Sequence, residues 1–401
     1  MKKAIFVGPA VLAVFAGLAA TIAAPQESET QKSLADAYRS GAIKFVPALT
    51  IDETALPKDV FLQRPSDIAC DPQGNVYVVD MRACQIHKFD ASGKFLKTIG
   101  RRGQGPGEFN SPSQIAAAKD RLLVYDSSNR RLGCLTVEGA FIKSKTIMTP
   151  TEGRPDGMRG LPNGDFVIGW EIVFPRDQNK PQDYSIRIFS PDLELKKTIY
   201  QQAIWRNKYG DVGGHFTNII QPFSPLVSWD VTLEGKIIIG FAKSYEIAIY
   251  DSDQGMIGSF RHEYEPVKIS EEDKKLFFRG ITTISATTSA DGTTTGSQTN
   301  ELDNRYVNAT EFPIVKPPFF DLTTDADGNI LVWPHLKTRD DENKVFDAFS
   351  PEGRFLGVVR EEKSRFISKR AVTPGGGIWS FSYDRDGIPS IVKYKIESAE
   401  K

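Results

Sequence analysis

Acidic residues follow three apolar runs of similar composition. Asp80 follows "VYVV", Asp126 follows "LLVY" and Glu171 follows "FVIGW". Three carboxylates brought together from successive elements would supply hard oxygen ligands of the kind that bind Ca²⁺. Asp80 and Asp126 have another common use, because aspartate at a turn accepts hydrogen bonds from backbone amides. The pattern therefore leaves open a calcium site of Asp80, Asp126 and Glu171, or a turn-forming role for the two aspartates.

Other side chains at comparable places in the sequence suit recognition. They include aromatic rings and guanidinium groups, which are enriched at the energetic centres of binding surfaces: Arg82, Arg130, Arg131, Trp170, Glu171, His335 and Tyr383. His335 alone among the four histidines falls at such a place, and the sequence shows no acid that would partner it as a general base. The histidines also lack the close spacing of a zinc motif. We therefore predict binding residues and no catalytic residue.

The elements that position these side chains recur along the chain. Segments such as "DIACDPQGNVYVVD" and "DLTTDADGNILVWP" have the pattern of a strand, a tight polar turn and a second strand. Each is followed by a hairpin pattern such as "HKFDASGKFLKTI" or "DAFSPEGRFLGVV". The unit thus has four antiparallel strands in roughly 45 residues, a period typical of propeller blades.

The repeat predicts an all-β fold, a six-bladed β-propeller with four-stranded antiparallel blades. The last unit supplies only three strands, which would leave an unpaired edge that natural sheets avoid. The run "IKFVPALTI" at 43–51 can fill that place and close the ring. The propeller is predicted to span 43–396, with blades at about 64–100, 111–147, 155–200, 225–260, 318–359 and 367–396 plus 43–51.

Two long gaps in the repeat are predicted to be insertions, at 201–224 and 261–317. The second contains "KISEEDKKLFFRGI", which predicts a helix because Ser270 stands at the N-cap position and acidic residues follow it. The Thr, Ser and Gly tract after it lacks the bulky apolar alternation of a blade strand. The length of this gap leaves a hidden seventh blade as the alternative.

One stretch resembles a known repeat family. "GRRGQGPGEFNSPSQIA" followed by "DSSNRR" is similar to the NHL repeat, whose pattern is a glycine-rich connection, Phe-Asn, Pro, an apolar strand and an Asp-x-x-Asn-x-Arg turn. The match covers 64–147 well, is partial in the later blades and departs in blade one, where "DMRACQ" lacks the Asn and the Arg. The resemblance implies a six-bladed propeller. It implies no single activity, since NHL proteins bind proteins, peptides or RNA and a few relatives are enzymes.

The glycine-rich segment 101–116 is predicted to carry the chain from the outer strand of blade one to the inner strand of blade two. Glycine permits the positive φ angles that such a crossing needs, and Phe109 is expected to fill the space between the blades. The alternative is an anion-binding lip formed by Arg101 and Arg102.

The N-terminus has the pattern of a secretory signal peptide. Lys2 and Lys3 precede an apolar run and a small-residue site near Ala23, which predicts a signal peptide at 1–23 and a linker at 24–42. An uncleaved anchor is the alternative, because the run is nearly long enough to span a bilayer. We expect an exported protein, periplasmic or extracellular, with no integral membrane span after cleavage.

The charge of the chain bears on its partners. With 50 basic and 51 acidic residues there is no net field to attract nucleic acid, which we therefore exclude as a partner. The sequence predicts a monomeric, non-catalytic binding module that recognises a protein, peptide or glycan through the channel rim and the 261–317 insertion, without a cofactor. The alternative is a Ca²⁺-dependent propeller hydrolase or lyase with the acidic residues at the rim.

Overall fold

The part of the chain that the computed structural model describes contains twenty-eight strands, two short α-helices and one 3₁₀-helix, Glu53–Ala55. The described residues are 43–147, 153–172, 180–212, 215–279, 283–288, 294–299, 304–337, 345–360 and 370–398. The predicted signal peptide and linker lie outside this part.

Five blades are continuous in sequence, and each is an antiparallel sheet whose strands are in chain order from the channel outwards. Blade one contains β2 (Pro65–Cys70), β3 (Val76–Asp80), β4 (Gln85–Phe89) and β5 (Phe95–Ile99). Blade two contains β6 (Pro112–Ala118), β7 (Arg121–Asp126), β8 (Arg131–Thr136) and β9 (Phe141–Thr146). Blade three contains β10 (Arg154–Gly160), β11 (Phe166–Glu171), β12 (Gln182–Phe189) and β13 (Leu195–Ile204). Blade four contains β16 (Val227–Val231), β17 (Ile237–Phe241), β18 (Glu246–Asp251) and β19 (Gly255–Arg261). Blade five contains β22 (Phe319–Thr324), β23 (Ile330–Pro334), β24 (Val345–Phe349) and β25 (Phe355–Arg360).

The sixth blade joins the two ends of the propeller. It contains β26 (Arg370–Val372), β27 (Ile378–Tyr383) and β28 (Pro389–Ser398), with β1 (Ile43–Ile51) as its outermost strand. β1 pairs antiparallel with β28, from Ile43 opposite Ser398 to Ile51 opposite Ile391. The predicted six-bladed propeller, closed by its N-terminal strand, is confirmed.

The hydrophobic core is divided among the six seams between blades. Each seam has one cluster of buried side chains drawn from the two blades that meet there. Between blades one and two, for example, Tyr77 and Val79 pack with Leu122 and Val124. Because every blade is buried on both faces, its central strands read as nearly continuous apolar runs.

The connection from blade one to blade two has the predicted structural role. Phe109 is 3% exposed and belongs to the cluster between the two blades. Gly100 has a φ of +80°, and a Cβ atom there would overlap the Phe109 ring. Arg101 pairs with Glu108 at 2.8 Å and Arg102 donates to the carbonyl of Arg82. Both arginines of the alternative anion-binding lip therefore contribute to the local structure.

Both insertions contain more regular structure than their composition suggests. The strand β13 runs to Ile204, beyond the predicted end of blade three, because its pairing with β12 continues to Gln182. A hairpin follows, β14 (Asn207–Val212) with β15 (His215–Ile220). In the second insertion, the predicted helix is α1 (Glu271–Arg279), and α2 (Asn304–Ala309) ends the Thr-rich tract. That tract forms the hairpin of β20 (Thr283–Thr288) and β21 (Thr294–Thr299), whose β-branched threonines favour extended backbone.

A belt of polar side chains links the inner strands around the channel. The side chain of Asp230 accepts a hydrogen bond from Arg159 Nε at 2.7 Å, which joins blades three and four. Similar links join the other consecutive pairs from blade one to blade six: Asp67 to the Ile115 amide, Gln114 to Pro155 and Gly157, Asp230 to Thr323, and Asp321 to Arg370. Polar side chains on inner strands thus hold neighbouring blades together as the apolar clusters do.

The seam between blades one and two carries an ion pair that predicts a pH dependence. Hydrogen bonds from Lys88 and Lys97 lower the pKa of Glu138 to about 2 from its usual 4.5. A carboxyl whose pKa is lower in the folded state stabilises the fold above the unfolded pKa, and this contribution is lost as the pH falls towards 2. We expect the Glu138→Gln variant to show a flatter decline in stability between pH 4.5 and 2, measured by urea unfolding. The exposed Glu194→Gln variant is the control, and an unchanged slope for Glu138→Gln would contradict the prediction.

Candidate functional site

The predicted rim lies at one end of the channel, where each second strand ends and where the chain crosses between blades. In four blades the residue after the second strand is held by the same hydrogen bond. Its backbone amide donates to the carbonyl of the residue that precedes the inner strand, and the four donors are Met81, Ser127, Ala242 and His335. Both insertions leave blades at this same end, after β13 and after β19. The two insertions and the connections between blades therefore lie together at the rim.

Asp80 and Asp126 are both buried and act as turn residues. The carboxylate of Asp80 accepts hydrogen bonds from the backbone amides of Gln63, Arg64 and Ala83. Asp126 accepts from the amides of Asn110 and Ser111 at 3.0 and 2.8 Å and from the Asn129 side chain. Each aspartate thereby ties the segment before its inner strand to the end of the second strand, as the turn-forming interpretation predicts.

Glu171 is buried and belongs to a separate group of charges. Its carboxylate pairs with Arg206 Nη1 at 2.9 Å and, more distantly, with Arg154 Nη2 at 3.5 Å. Burial raises the pKa of Glu171, and the Arg206 guanidinium partly opposes this. Arg206 also lies 3.7 Å from Asp156, so it joins two acidic groups of blade three. The arrangement positions Arg206 at the rim.

The structure does not bring the three predicted calcium ligands into one group. Among the described residues there is no cluster of three or more His, Cys, Asp or Glu side chains that could hold a metal ion. The carboxylates of Asp80 and Asp126 accept hydrogen bonds from backbone amides, and the carboxylate of Glu171 forms ion pairs with arginines. The calcium alternative stays a prediction from the sequence.

The predicted arginines of the rim differ in their surroundings. Arg131 donates to the carbonyls of Gln104, Gly105 and Glu108, and so holds the glycine-rich connection in place. Arg82 and Arg130 are exposed. These two guanidinium groups stay candidates for contact with a partner, whereas Arg131 is a structural residue.

The predicted aromatic residues of the rim also differ. Trp170 is 7% exposed, because its ring packs against Phe189 and the Arg187 guanidinium lies 5.0 Å from its centre. Trp170 is therefore largely buried, and its contact with a partner stays a prediction. Tyr383 is 56% exposed and stays available at the rim of blade six.

His335 lies in a row of aromatic rings at the rim, between blades four and five. Its imidazole is 5.7 Å from the Phe223 ring centre and 5.1 Å from that of Phe320. Phe223 has a φ of +51°, which is rare for a large side chain and places its ring against the histidine at an energetic cost. Such strain concentrates at functional positions in proteins.

A pocket of about 290 Å³ opens beside these rings. Its walls combine the three rings with apolar side chains and a few polar groups: Arg206, Ile220, Gln221, Phe223, Ser224, Leu226, Ala242, Pro317, Phe319, Phe320 and His335. The first insertion contributes five of the pocket residues, Arg206, Ile220, Gln221, Phe223 and Ser224. A concave, mainly apolar surface with a few convergent polar groups is the usual form of a binding site.

The second insertion is fixed to the same edge of the pocket by a buried ion pair. Lys316 Nζ lies 2.9 Å from Asp273 Oδ1 and donates to the carbonyl of Leu336. Asp273 and Ser270 bond reciprocally at the start of α1, which confirms the predicted N-cap. Burial raises the pKa of Asp273, but bonds from Ser270 and Lys316 outweigh it and leave the pKa low. The Lys316 ammonium lies 5.7 Å from the Phe223 ring, so the anchored insertion borders the pocket directly.

Arg206, Phe223 and Phe320 are not among the site residues predicted from the sequence. A weak signal exists in "QPFSP", where an aromatic residue stands between two prolines in a connection between blades. Arg206 gives no signal, since its partner Glu171 is 35 residues away. Only the fold brings these residues to His335.

Residues 44–147 match the model of the DUF5128 family, described as a 6-bladed beta-propeller. The chain has that fold. The family match covers blades one and two and the closing strand β1, and the narrower NHL resemblance stays a prediction. Within the described residues, no helix is long and apolar enough to cross a membrane.

Other proteins are similar to this propeller over different lengths. Peptidyl-glycine alpha-amidating monooxygenase A of Xenopus laevis is 31% identical in an alignment over 126 residues, and the match covers 28% of this chain and 13% of that protein. A duf4221 family member from Bacteroides vulgatus is 12% identical, with a TM-score of 0.49 over 90% of this chain and 99% of that one. Virginiamycin B lyase of Staphylococcus aureus is 13% identical, with a TM-score of 0.41 over 88% and 99%.

Proposed function

We propose that the protein is a non-catalytic binding module that recognises a peptide segment of a partner protein at the rim. The observation that carries this proposal is the pocket walled by Phe223, Phe320 and His335. Its volume lies at the lower end of the range for small-molecule sites, which suits one large side chain of a partner. Anchoring side chains that fill a pocket commonly dominate the energy of protein recognition.

The surroundings of the pocket favour a peptide partner. Ile220 in the pocket wall and Trp205 at the base of the β14–β15 hairpin are both 40% exposed and offer apolar contact to a partner. The nearby charges are engaged in structural pairs, Glu171 with Arg206 and Asp273 with Lys316. Groups that are held in this way position the walls and are poorly placed for acid–base chemistry. The NHL resemblance of blades one and two is consistent with this function, because binding proteins occur in that family.

The proposal includes export and a monomeric state. Export rests on the signal-peptide pattern of residues 1–23, which lie outside the described part. It is tested by the N-terminal sequence of protein recovered from the periplasm, which should begin near residue 24.

The binding function is tested by selecting random dodecamer peptides on phage against the protein without residues 1–23. We expect the selected peptides to share an aromatic or large aliphatic residue. The Phe223→Ala and Phe320→Ala variants should bind these peptides at least tenfold more weakly, about 1.4 kcal/mol, because the anchor loses a wall of its pocket. Met256→Ala, which truncates a 62% exposed side chain on the outer strand of blade four, is the matched control.

Two outcomes would contradict the peptide proposal. One is full affinity of the selected peptides for both phenylalanine variants, with thermal unfolding showing that the variants are folded. The other is binding of oligosaccharides such as cellohexaose without binding of any peptide, which would make the partner a glycan. A Ca²⁺-dependent rise of the unfolding midpoint, lost in Asp126→Ala, would instead favour the calcium alternative.

A further inference from the structure

A second cavity lies in the channel at the end opposite the rim. It has a volume of about 300 Å³ and is lined by the inner strands of blades one to four and six, near the turns that lead to their second strands. Small side chains from three blades leave this space open, namely Ala69, Ala117 and Ala371. Val231 and Leu233 add larger apolar walls, and the buried Met158 lies beside the cavity. The cavity shares no lining residue with the pocket at the rim.

Arg159 supplies the distinctive polar group of this cavity. Its Nε donates to Asp230 Oδ1 at 2.7 Å and its Nη1 donates to the carbonyl of Met158 at 2.9 Å. Within the described part of the chain, Nη2 has no hydrogen-bond acceptor, and the side chain is 28% exposed although it lies in the channel. Because a guanidinium has five N–H donors, Arg159 can hold the protein together and still donate to a ligand.

The acceptors near Arg159 are already used. Asp230 Oδ1 also accepts from the Val231 amide at 3.0 Å, and Oδ2 accepts from the Thr323 hydroxyl and the Thr324 amide. Asp71, which also lines the cavity, accepts hydrogen bonds from Asn75 and from the Tyr77 hydroxyl. The cavity therefore offers a donor, while its carboxylates are occupied.

The local charge limits the ligand further. Four aspartates, two arginines and one lysine lie around this end of the channel, a formal charge of −1: Asp67, Asp71, Asp230, Asp321, Arg159, Arg370 and Lys119. A carboxylate or phosphate would pair with Arg159 but would be repelled by the aspartates. A cation would find no free carboxylate on Asp230. An uncharged acceptor, such as the oxygen of an amide, can accept a hydrogen bond from Arg159 without being repelled by the aspartates.

We infer that this cavity is a second binding site, specific for an uncharged apolar compound with an amide carbonyl, of about the size of one capped amino acid. The Arg159 guanidinium donates to the carbonyl oxygen, and the apolar part contacts Val231, Leu233 and the alanines, next to the buried Met158. The site is independent of the proposed peptide pocket at the rim.

The inference is tested by NMR with ¹³C-methyl methionine. The chain has five methionines, and Met158 lines the cavity, whereas Met81 is at the rim and Met256 is on the outer strand of blade four. Titration with N-acetyl-leucinamide should shift the Met158 methyl signal saturably in the millimolar range expected for a fragment, with Met81 and Met256 unmoved. N-acetyl-leucine and leucinamide have the same apolar part with a negative or positive charge, and should bind at least tenfold more weakly.

Two variants test the role of Arg159 and the location. Arg159→Lys keeps the positive charge beside Asp230 but lacks the Nη2 donor, so the Met158 shift should be lost. Leu233→Trp, at a 38% exposed residue of the cavity wall, should block entry without disturbing Arg159. The proposal is overturned if Met158 does not respond to N-acetyl-leucinamide, if N-acetyl-leucine binds equally well, or if both variants bind like the original protein. Thermal unfolding establishes that each variant is folded.

Discussion

Replacing Asp230 with alanine is expected to lower the free energy of unfolding by about 3 to 5 kcal/mol, the usual cost of breaking a buried ion pair. The Asp230 carboxylate is 4% exposed and lies between Arg159 of blade three and Thr323 of blade five. Its loss leaves Arg159 without its counter-charge and the Thr324 amide without its acceptor. Urea unfolding of the variant measures the effect, with Glu234→Ala as a control in the same blade. That glutamate is 78% exposed, so its loss should change the stability by less than about 0.5 kcal/mol.

A double variant separates the ion pair from simple loss of packing. Arg159→Met combined with Asp230→Ala removes both charges together, so it should be less destabilised than the sum of the two single variants. Additive effects would show that the pair does not hold blades three and four together.

Replacing Phe45 with alanine is expected to lower the free energy of unfolding by about 3 to 5 kcal/mol, because a cavity takes the place of a large buried ring. Phe45 is 5% exposed on β1 and packs edge to face against Phe346 of blade five, with ring centres 5.6 Å apart. It thus contributes to the seam between blades five and six as well as to the closing strand. The thermal midpoint and the urea unfolding curve both measure the loss.

Leu96→Ala is the matched control for the Phe45 prediction. Leu96 is 45% exposed on the outer strand of blade one, so its truncation should change the stability little. Equal effects of the two substitutions would contradict the conclusion that β1 is an essential part of the ring.

The repeated turn chemistry explains why the propeller could be predicted. Each blade has a polar turn between apolar strands, and an unpaired last blade requires a fourth strand, for which 43–51 was available. The roles of Asp126 and Phe109 followed from the same local pattern, since each acts within or beside its own turn. Such features depend on residues close in sequence, where pattern and structure are directly linked.

The candidate site could be predicted only in outline. The position of His335 at the rim followed from the repeat, but its partners Phe223 and Phe320 come from an insertion and from the start of another strand. Arg159 pairs with Asp230 over 71 positions, and arginine in an alternating strand has the same appearance as an exposed residue. Pairings over such distances are set by the closed ring, which the sequence pattern describes only in general terms.

The pairing of Ile43 with Ser398 has a consequence for folding kinetics. The entropy cost of loop closure increases with the length of chain between two partners, and contacts distant in sequence form slowly. Blades one to five can each form from a continuous segment, whereas the sixth requires both ends of the propeller. β1, the outermost strand of the sixth blade, is synthesised before β28, with which it pairs, and must stay unpaired until the rest of the chain is made. Ring closure is therefore the late step, and the partly folded propeller exposes a free sheet edge until then.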